Sequence, residues 1–153
     1  MSDQRTELGE LGEFGLIERL AKDIKIVNDS TKLGIGDDAA VIDSGDHYTL
    51  LSTDMLLEGV HFDLSYAPLQ HLGYKAIAVN VSDIAAMNGI PQQITVSIGL
   101  SNRFSLEAMD TLYQGMNAAA EDFNVDIVGG DTSTSKSGLV ISISVLGTVE
   151  KDK

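Results

Sequence analysis

Hydrophobic residues recur every three or four positions in three segments of the chain, which is the spacing of one face of an α-helix. The first segment runs from Leu11 to Ile24 and the second from Pro68 to about Met87. Asn88-Gly89 should end the second helix, and Pro91 should prevent it from restarting. The third segment follows Ser105, a residue type that commonly caps helix N-termini. The pattern therefore predicts three helices.

Five further stretches have the composition and spacing of β-strands. Ala39–Ile42 and Tyr48–Thr53 flank a short turn and predict a hairpin, while Gln93–Leu100 and Leu139–Val149 alternate between apolar and polar residues. Val125–Val128 is short and apolar. The order of these elements predicts a two-layer α/β sandwich, in which a largely mixed or antiparallel sheet carries helices on one face. A chain of 153 residues with 43% hydrophobic residues suits a single domain, residues 1–153.

The composition narrows the classes of function. Asp and Glu number 23 against 10 Lys and Arg, for a net charge of −13, which argues against nucleic-acid binding through a basic surface. There are no cysteines, so disulfides, thiolate metal sites and cysteine nucleophiles are excluded. No apolar run is long enough to predict a transmembrane helix, and the N-terminus lacks the profile of a signal peptide. We expect a cytoplasmic protein that binds neither nucleic acid nor membrane.

Aspartates stand at four places beside glycine or next to apolar stretches. These are Asp37-Asp38, Ser52-Thr53-Asp54, Asp83 and Gly130-Asp131, and Asn80 lies one turn before Asp83 on the same helical face. Three of the four places fall at predicted strand ends, where functional sites are commonly built on a rigid scaffold. Each place also has a structural alternative, as a turn, a helix cap or a solvated helix residue. Their joint occurrence favours one shared site.

Converging carboxylates require protonation or a cation, because two unit charges about 4 Å apart repel by roughly 4 kcal/mol at an effective dielectric constant of about 20. With no cysteine and only three histidines, the available ligands are hard oxygens, which suit Mg²⁺ or Ca²⁺. Magnesium commonly links carboxylates to substrate phosphates, so such a site would let an acidic protein bind an anion. His61, seven residues after Asp54, is either a substrate contact or a half-buried surface residue.

Four motifs in this order resemble one family. GIGDDAAVI, STDMLLEGVHF, YKAIAVNVSDIAAMNGIP and VGGDTS are similar to the N-terminal domain of the thiamine-monophosphate kinases, in the superfamily that includes aminoimidazole-ribonucleotide synthetase. The resemblance runs from about Gly12 to Glu150. Selenophosphate synthetases share the layout but carry a reactive cysteine or selenocysteine near their start, which is absent here. The histidine of STDMLLEGVHF favours the thiamine enzyme.

The resemblance implies transfer of the γ-phosphoryl group of ATP to thiamine monophosphate, with several Mg²⁺ ions and no side-chain nucleophile. It also implies a homodimer in which the sheets of two N-terminal domains pair. Matched by motif, the nucleotide contacts are Tyr113, Gly130 and Asp131, and the contact to the phosphate of thiamine monophosphate is His61. The magnesium ligands implied in the same way are Asp38, Ser52, Thr53, Asp54, Asp83 and Asp131. The motifs assign no role to Asp37.

Two departures from the family pattern qualify this expectation. AAMNGIP replaces the more usual AAMGAxP, and the chain ends at Lys153, where the family continues into a second α/β domain with an arginine that contacts the nucleotide. We therefore expect an N-terminal domain that binds nucleotide but turns over little by itself. The alternatives are a non-catalytic module that binds a divalent cation or a nucleotide, or another ATP-dependent synthetase of the superfamily.

Overall fold

The structure, a computed structural model, describes residues 5–64 and 68–152. They form one six-stranded sheet and three α-helices, preceded by a 3₁₀-helix at Leu8–Glu10. The helices are α1 (Gly12–Ala21), α2 (Leu69–Ala85) and α3 (Leu106–Phe123). The strands are β1 (Thr31–Leu33), β2 (Ala40–Asp43), β3 (His47–Leu57), β4 (Ile90–Leu100), β5 (Asp126–Thr134) and β6 (Val140–Glu150).

The sheet has the strand order β1-β2-β3-β6-β4-β5. Neighbouring strands are antiparallel except β4 and β5, which run parallel. The longest pairing joins β3 to β6, from His47 opposite Glu150 to Leu57 opposite Val140. The predicted α/β fold with a mixed, mostly antiparallel sheet is confirmed.

The core lies between the sheet and α2. This helix packs on β3, β4 and β6, and α3 packs against α2 and reaches β5. Ser105 caps α3 as predicted, because its hydroxyl accepts a 3.0 Å hydrogen bond from the backbone N–H of Ala108. No helix in the described ranges is long and apolar enough to cross a membrane. Every second residue of β4 and β6 is buried against the helices: Ile94, Val96, Ile98, Ile141, Ile143 and Val145.

Two glycines set the separation of α2 and α3. A Cβ atom on Gly73 would lie 2.0 Å from the carbonyl oxygen of Leu112, and one on Gly115 would lie 1.9 Å from that of Gln70. Real Cβ atoms do not approach so closely, so any side chain at either position would force the helices apart. These glycines allow α3 to approach the backbone of α2, which carries Asp83.

The strand predictions were incomplete at two places. The sheet contains a sixth strand, β1, which pairs with β2 although its three residues show no strong apolar pattern. Pro91 does not lie in a loop but inside β4, where it pairs with Gly147 next to a register irregularity. An irregular position of this kind tolerates a residue that cannot donate a backbone hydrogen bond.

Two strands also run further than predicted. β3 continues past Thr53 to Leu57, and β5 continues past Val128 to Thr134. Asp54 and Asp131 therefore lie within strands, whereas the sequence placed them at strand ends. Backbone pairing with β6 and β4 extends these strands through residues whose side chains are polar or absent. A hydrophobic pattern cannot indicate such an extension.

The face of the sheet away from α2 exposes apolar side chains. Leu51, Met55, Val128 and Leu146 are each between 39% and 60% exposed. The outward row of β4 and β6 is largely Thr and Ser, as at Thr95 and Ser144. Most of the exposed apolar surface comes from β3 and β5 instead.

Candidate functional site

Three separate segments meet on the helix-bearing side of the sheet. They are the loop before β2, the middle of β3, and the C-terminal half of α2. The hydroxyl of Ser52 donates a 2.8 Å hydrogen bond to the backbone carbonyl oxygen of Asp38, which fastens the loop to β3. Ser52 and Asp54 alternate in phase with Leu50 and Leu56, which are buried in the core. Their side chains therefore face α2.

Asp83 of α2 completes this group. Burial raises the pKa of its carboxyl group, and the neighbouring carboxylates of Asp54 and Asp38 raise that pKa further. The nearby Ser52 hydroxyl opposes these effects, since it favours the ionised form of Asp83 and so lowers that pKa. The structure thus brings together four of the residues singled out in the sequence. We call Asp38, Ser52, Asp54 and Asp83 the carboxylate cluster.

The chemistry of the carboxylate cluster suits a magnesium ion. Three carboxylates and a hydroxyl supply hard oxygen donors, and a divalent cation would remove the repulsion that raises the pKa of Asp83. One turn earlier on α2, Asn80 is 1% exposed. Its Nδ2 donates to the carbonyl oxygen of Ala76, but its Oδ1 has no hydrogen-bond partner among the described residues. Within residues 5–64 and 68–152, however, no group of three or more acidic or histidine side chains is arranged so that it could hold a metal ion as it stands. The four side chains of the cluster are neighbours, and holding an ion would require them to move closer together.

Thr53 lies on the other side of β3. Its hydroxyl donates a 3.1 Å hydrogen bond to the carbonyl oxygen of Ile143 and accepts one from Ser144 at 3.3 Å. Strand alternation directs Thr53 away from Ser52 and Asp54. The structure therefore places this predicted ligand next to the carboxylate cluster along the chain, but not within it.

Asp131 is separated from the carboxylate cluster. It pairs with Ser97 of β4, and β4 and β6 both lie between its strand and β3. At about 4.8 Å between neighbouring strands, β5 is roughly 14 Å from β3. Alternation also puts Asp131 on the opposite face from Val96, which is buried against the helices. Its role as a ligand of the same ions stays a prediction.

Gly130 is required by its contact with β4. A Cβ atom at this position would lie 1.8 Å from the carbonyl oxygen of Val96, so no other residue fits without displacing β5. At the preceding Gly129, by contrast, the nearest atom would be the Thr95 Cγ2 at 4.0 Å. The two adjacent glycines of VGGDTS therefore have different structural requirements.

Tyr113 lines a cavity of about 340 Å³ between α3 and the sheet, and Thr132 of β5 lines the same cavity. Burial raises the pKa of the Tyr113 phenol, so its hydroxyl is a neutral hydrogen-bond donor at neutral pH. Because Thr132 and Gly130 alternate together, both belong to the helix-bearing side. The sequence did not single out the apolar walls of this cavity, since their residues look like ordinary core positions: Ile98, Leu100, Phe104, Leu106 and Met109.

His61 lies in an exposed turn that follows β3. The ring Nδ1 of His61 accepts a 2.9 Å hydrogen bond from the backbone N–H of Leu57. The backbone N–H of His61 in turn donates to the carbonyl oxygen of Leu57. Sequence reasoning missed the neighbouring Glu58, although it lies within the quoted motif. Its carboxylate forms an ion pair with Arg103 and accepts a 2.9 Å hydrogen bond from the backbone N–H of Leu139.

A second, larger cavity opens beside the glycine-aspartate loop. It measures about 690 Å³ and is bounded by α1, by residues 34–40 and by residues 51–53. Asp37 lies at its rim and accepts a 2.8 Å hydrogen bond from the backbone N–H of Asp38. This contact fixes the conformation of the loop and gives Asp37 a structural role.

Comparison with known proteins identifies the relatives of this chain. Residues 36–149 match the family described as AIR synthase related protein, N-terminal domain. The chain is 38% identical over 143 residues to thiamine-monophosphate kinase of Bacillus subtilis (strain 168), covering 92% of this chain and 43% of the relative. It is 39% identical over 144 residues to the thiamine-monophosphate kinase of Aquifex aeolicus (strain VF5), covering 94% and 44%. The chain thus spans less than half the length of these relatives.

A solved structure agrees with these sequence matches. The structure of AaThiL complexed with AMPPCP and TMP superposes with a TM-score of 0.85 at 37% identity, over 95% of this chain and 45% of that one. The structural match therefore covers nearly the whole of this chain.

Proposed function

The chain belongs to the AIR synthase related protein family as an N-terminal domain, and from this premise we propose that it is the ATP- and magnesium-binding part of a thiamine-monophosphate kinase. The reaction is transfer of the γ-phosphoryl group of ATP to thiamine monophosphate, giving thiamine diphosphate and ADP. The observation that carries the proposal is the carboxylate cluster, in which segments far apart in sequence bring Asp38, Asp54 and Asp83 together. The similar AaThiL structure, complexed with AMPPCP and TMP, supports the choice of substrates.

In this proposal the nucleotide binds on the helix-bearing side of the sheet. The cavity of Tyr113 and Thr132 is apolar apart from a few hydroxyl groups, which suits a nucleotide base. Gly130, two residues before Thr132, leaves the backbone accessible at the entrance to this region. The carboxylate cluster is on the same side of the sheet, in the direction in which the phosphates would extend.

The residues of the chain act by position and charge. Because the acceptor is itself a phosphate, no side chain has to attack, and catalysis depends on alignment and on neutralising the phosphate oxygens. Magnesium, when bound, supplies that neutralising charge. Asp38, Asp54 and Asp83 would hold the ions, and Ser52 keeps the loop of Asp38 against β3. His61 would donate a hydrogen bond to the phosphate of thiamine monophosphate, and Thr53 and Asp131 remain proposed as further ligands.

A homodimer is part of the proposal. The exposed apolar side chains Leu51, Met55, Val128 and Leu146 lie on the face of the sheet opposite α2 and α3. Contact with the same face of a second copy would bury them, and a two-fold pair is the commonest arrangement for such a surface.

The absence of cysteines fits a protein that acts in the cytoplasm, where we propose this enzyme works.

A titration series tests the function. Thiamine monophosphate, thiamine and thiamine diphosphate are titrated into the chain saturated with Mg²⁺ and AMPPCP, with binding followed by calorimetry. We expect thiamine monophosphate to bind more tightly than thiamine, because only the former offers a phosphate to the ions and to His61. Binding of nucleotide without any preference for thiamine monophosphate would favour a nucleotide-binding module or another synthetase of the superfamily.

A further inference from the structure

The turn that carries His61 is held by one carboxylate. The backbone N–H of Glu58 donates a 3.0 Å hydrogen bond to the carbonyl oxygen of Leu139, and the Leu139 N–H donates in return to the Glu58 Oε1 at 2.9 Å. The same oxygen pairs with the guanidinium of Arg103. Glu58 therefore joins the end of β3, the loop before α3 and the start of β6, which are distant in sequence.

The surroundings of Glu58 make this arrangement specific. Its side chain is only 18% exposed, and the stem packs against Gly138, where φ is +74° and an added Cβ would lie 3.5 Å from the Glu58 Cβ. A largely buried carboxylate is stable only when it is paired and hydrogen-bonded, and Arg103 and Leu139 supply both interactions. The side chain of Arg103 also lies 4.7 Å from the centre of the Phe104 ring, which limits its movement.

The consequence falls on His61, three residues further on. Within the turn, the backbone N–H of Gly59 donates a 2.8 Å hydrogen bond to the carbonyl oxygen of Phe62. His61 forms two hydrogen bonds with Leu57, one through its backbone N–H and one through its ring. A backbone N–H can only donate, so the Nδ1 that receives it carries no proton, and the proton of the neutral ring is on Nε2. The ring is exposed, so Nε2–H is available as a donor to a ligand.

We propose that Glu58 is a positioning residue that fixes this turn and thereby presents the Nε2–H of His61 to an anionic oxygen of the substrate. The identity of that oxygen, a phosphate of thiamine monophosphate, rests on the proposed function. The effect of Glu58 on the His61 ring does not, because every contact involved is within the chain.

The experiment measures the His61 ring and the ligand separately. Long-range ¹H–¹⁵N NMR spectra of the ligand-free chain report which ring nitrogen of His61 carries the proton. In the wild type we expect protonated Nε2 and unprotonated Nδ1. In Glu58→Ala we expect the two ¹⁵N shifts to move towards the averaged values of a free imidazole. Glu58→Gln, which can still accept from Leu139 but loses the charge that pairs with Arg103, should give an intermediate spectrum and serves if the alanine variant does not fold.

Binding of thiamine monophosphate is the second readout. We expect its affinity to fall about tenfold in Glu58→Ala, the size of one charge-assisted hydrogen bond, with AMPPCP affinity changed less than about twofold. Glu7→Ala is the matched control, since Glu7 also pairs with an arginine, Arg5 at 3.1 Å, in an exposed position. A folded Glu58 variant with wild-type His61 shifts would overturn the proposal. Altered shifts in a chain whose wild type does not bind thiamine monophosphate would support the positioning role and refute the proposed ligand instead.

Discussion

Ser52 donates its hydroxyl hydrogen bond to the backbone carbonyl oxygen of Asp38 over 2.8 Å, across fourteen positions of sequence. This contact joins the glycine-aspartate loop to the central strand of the carboxylate cluster. Asp38 itself is exposed. The position of the Asp38 carboxylate therefore depends on Ser52, a residue to which the motif alone assigns only a role as a metal ligand.

The first prediction concerns this link. Ser52→Ala should lower the free energy of unfolding by about 1 kcal/mol, the usual contribution of one such hydrogen bond, and should also reduce the stabilisation produced by Mg²⁺. Ser135→Ala is the matched control, because Ser135 makes an equivalent 2.9 Å hydrogen bond to the carbonyl oxygen of Ser137. Thermal melts with and without Mg²⁺ measure both effects. An equal response to Mg²⁺ in the two variants would show that the link has no bearing on the ion.

The second prediction follows from the raised pKa of Asp83. A carboxyl whose pKa is higher in the folded state than in the unfolded state binds its proton more tightly when folded, so stability is lost as pH rises from the model-peptide value of 3.8 through the folded pKa. At neutral pH, well above 3.8, Asp83 without Mg²⁺ therefore lowers the stability of the fold. Asp83→Asn should raise Tm under these conditions and should diminish the further rise that Mg²⁺ produces in the wild type.

The control for this experiment is Asp110→Asn, which removes the same charge from an exposed position on α3. It should shift Tm by no more than about a degree or two, since isolated surface charges contribute little to stability. It should also leave the response to Mg²⁺ unchanged. The prediction fails if Asp83→Asn lowers Tm at pH 7 without Mg²⁺, or if the two variants respond to the ion alike.

The third prediction distinguishes the two glycines of VGGDTS. Gly130→Ala should destabilise the chain by several kcal/mol, because the added methyl group would overlap the carbonyl oxygen of Val96 and push β5 away from β4. Gly129→Ala should cost roughly 1 kcal/mol or less, since its Cβ would only touch Thr95. Urea unfolding of both variants gives the comparison. Similar costs at the two positions would mean that β5 is not held as closely to β4 as described.

The fourth prediction concerns the uncovered face of the sheet. Leu146→Asp should shift the chain from dimer to monomer in sedimentation at micromolar concentration, because it introduces a charge among the apolar side chains that a second copy would bury. Val27→Asp, at a position that is 85% exposed and outside the sheet, is the control and should leave the dimer intact. A wild-type chain that sediments only as a monomer would contradict the proposed pairing of sheets.

Much of the fold could be predicted from sequence because its helices and inner strands bury regular patterns. Ser105 and the alternation of Ile94, Val96 and Ile98 are local signals, and the structure agrees with them. The extension of β3 through Asp54 and of β5 through Asp131 could not be predicted, because neighbouring strands impose it by backbone pairing. For the site, the apolar residues around Asp83 are a local signal for the partial burial that the structure shows. No local pattern, however, indicates that two strands separate Asp131 from β3 and that it lies on the opposite face.

The motifs and the structure thus contribute different information about the candidate site. The resemblance to the thiamine-monophosphate kinases implies six metal ligands as one set. The structure brings four of these residues together in the carboxylate cluster. Thr53 lies outside the carboxylate cluster because of strand alternation and Asp131 because of strand order, which are both properties of the assembled sheet, and their roles as ligands stay predictions. The role of Glu58 depends on contacts with Arg103 and Leu139, at separations of 45 and 81 residues, which a single sequence does not reveal.

The central claim is that the carboxylate cluster binds nucleotide through magnesium, and calorimetric titration of AMPPCP into the chain tests it most directly. We predict saturable binding that requires Mg²⁺ and that weakens tenfold or more in Asp54→Asn, because that substitution removes a carboxylate at the centre of the cluster. Asp110→Asn, titrated in parallel, should bind as the wild type does. Binding that is indifferent to Mg²⁺, or equally tight in Asp54→Asn and the wild type, would contradict the account.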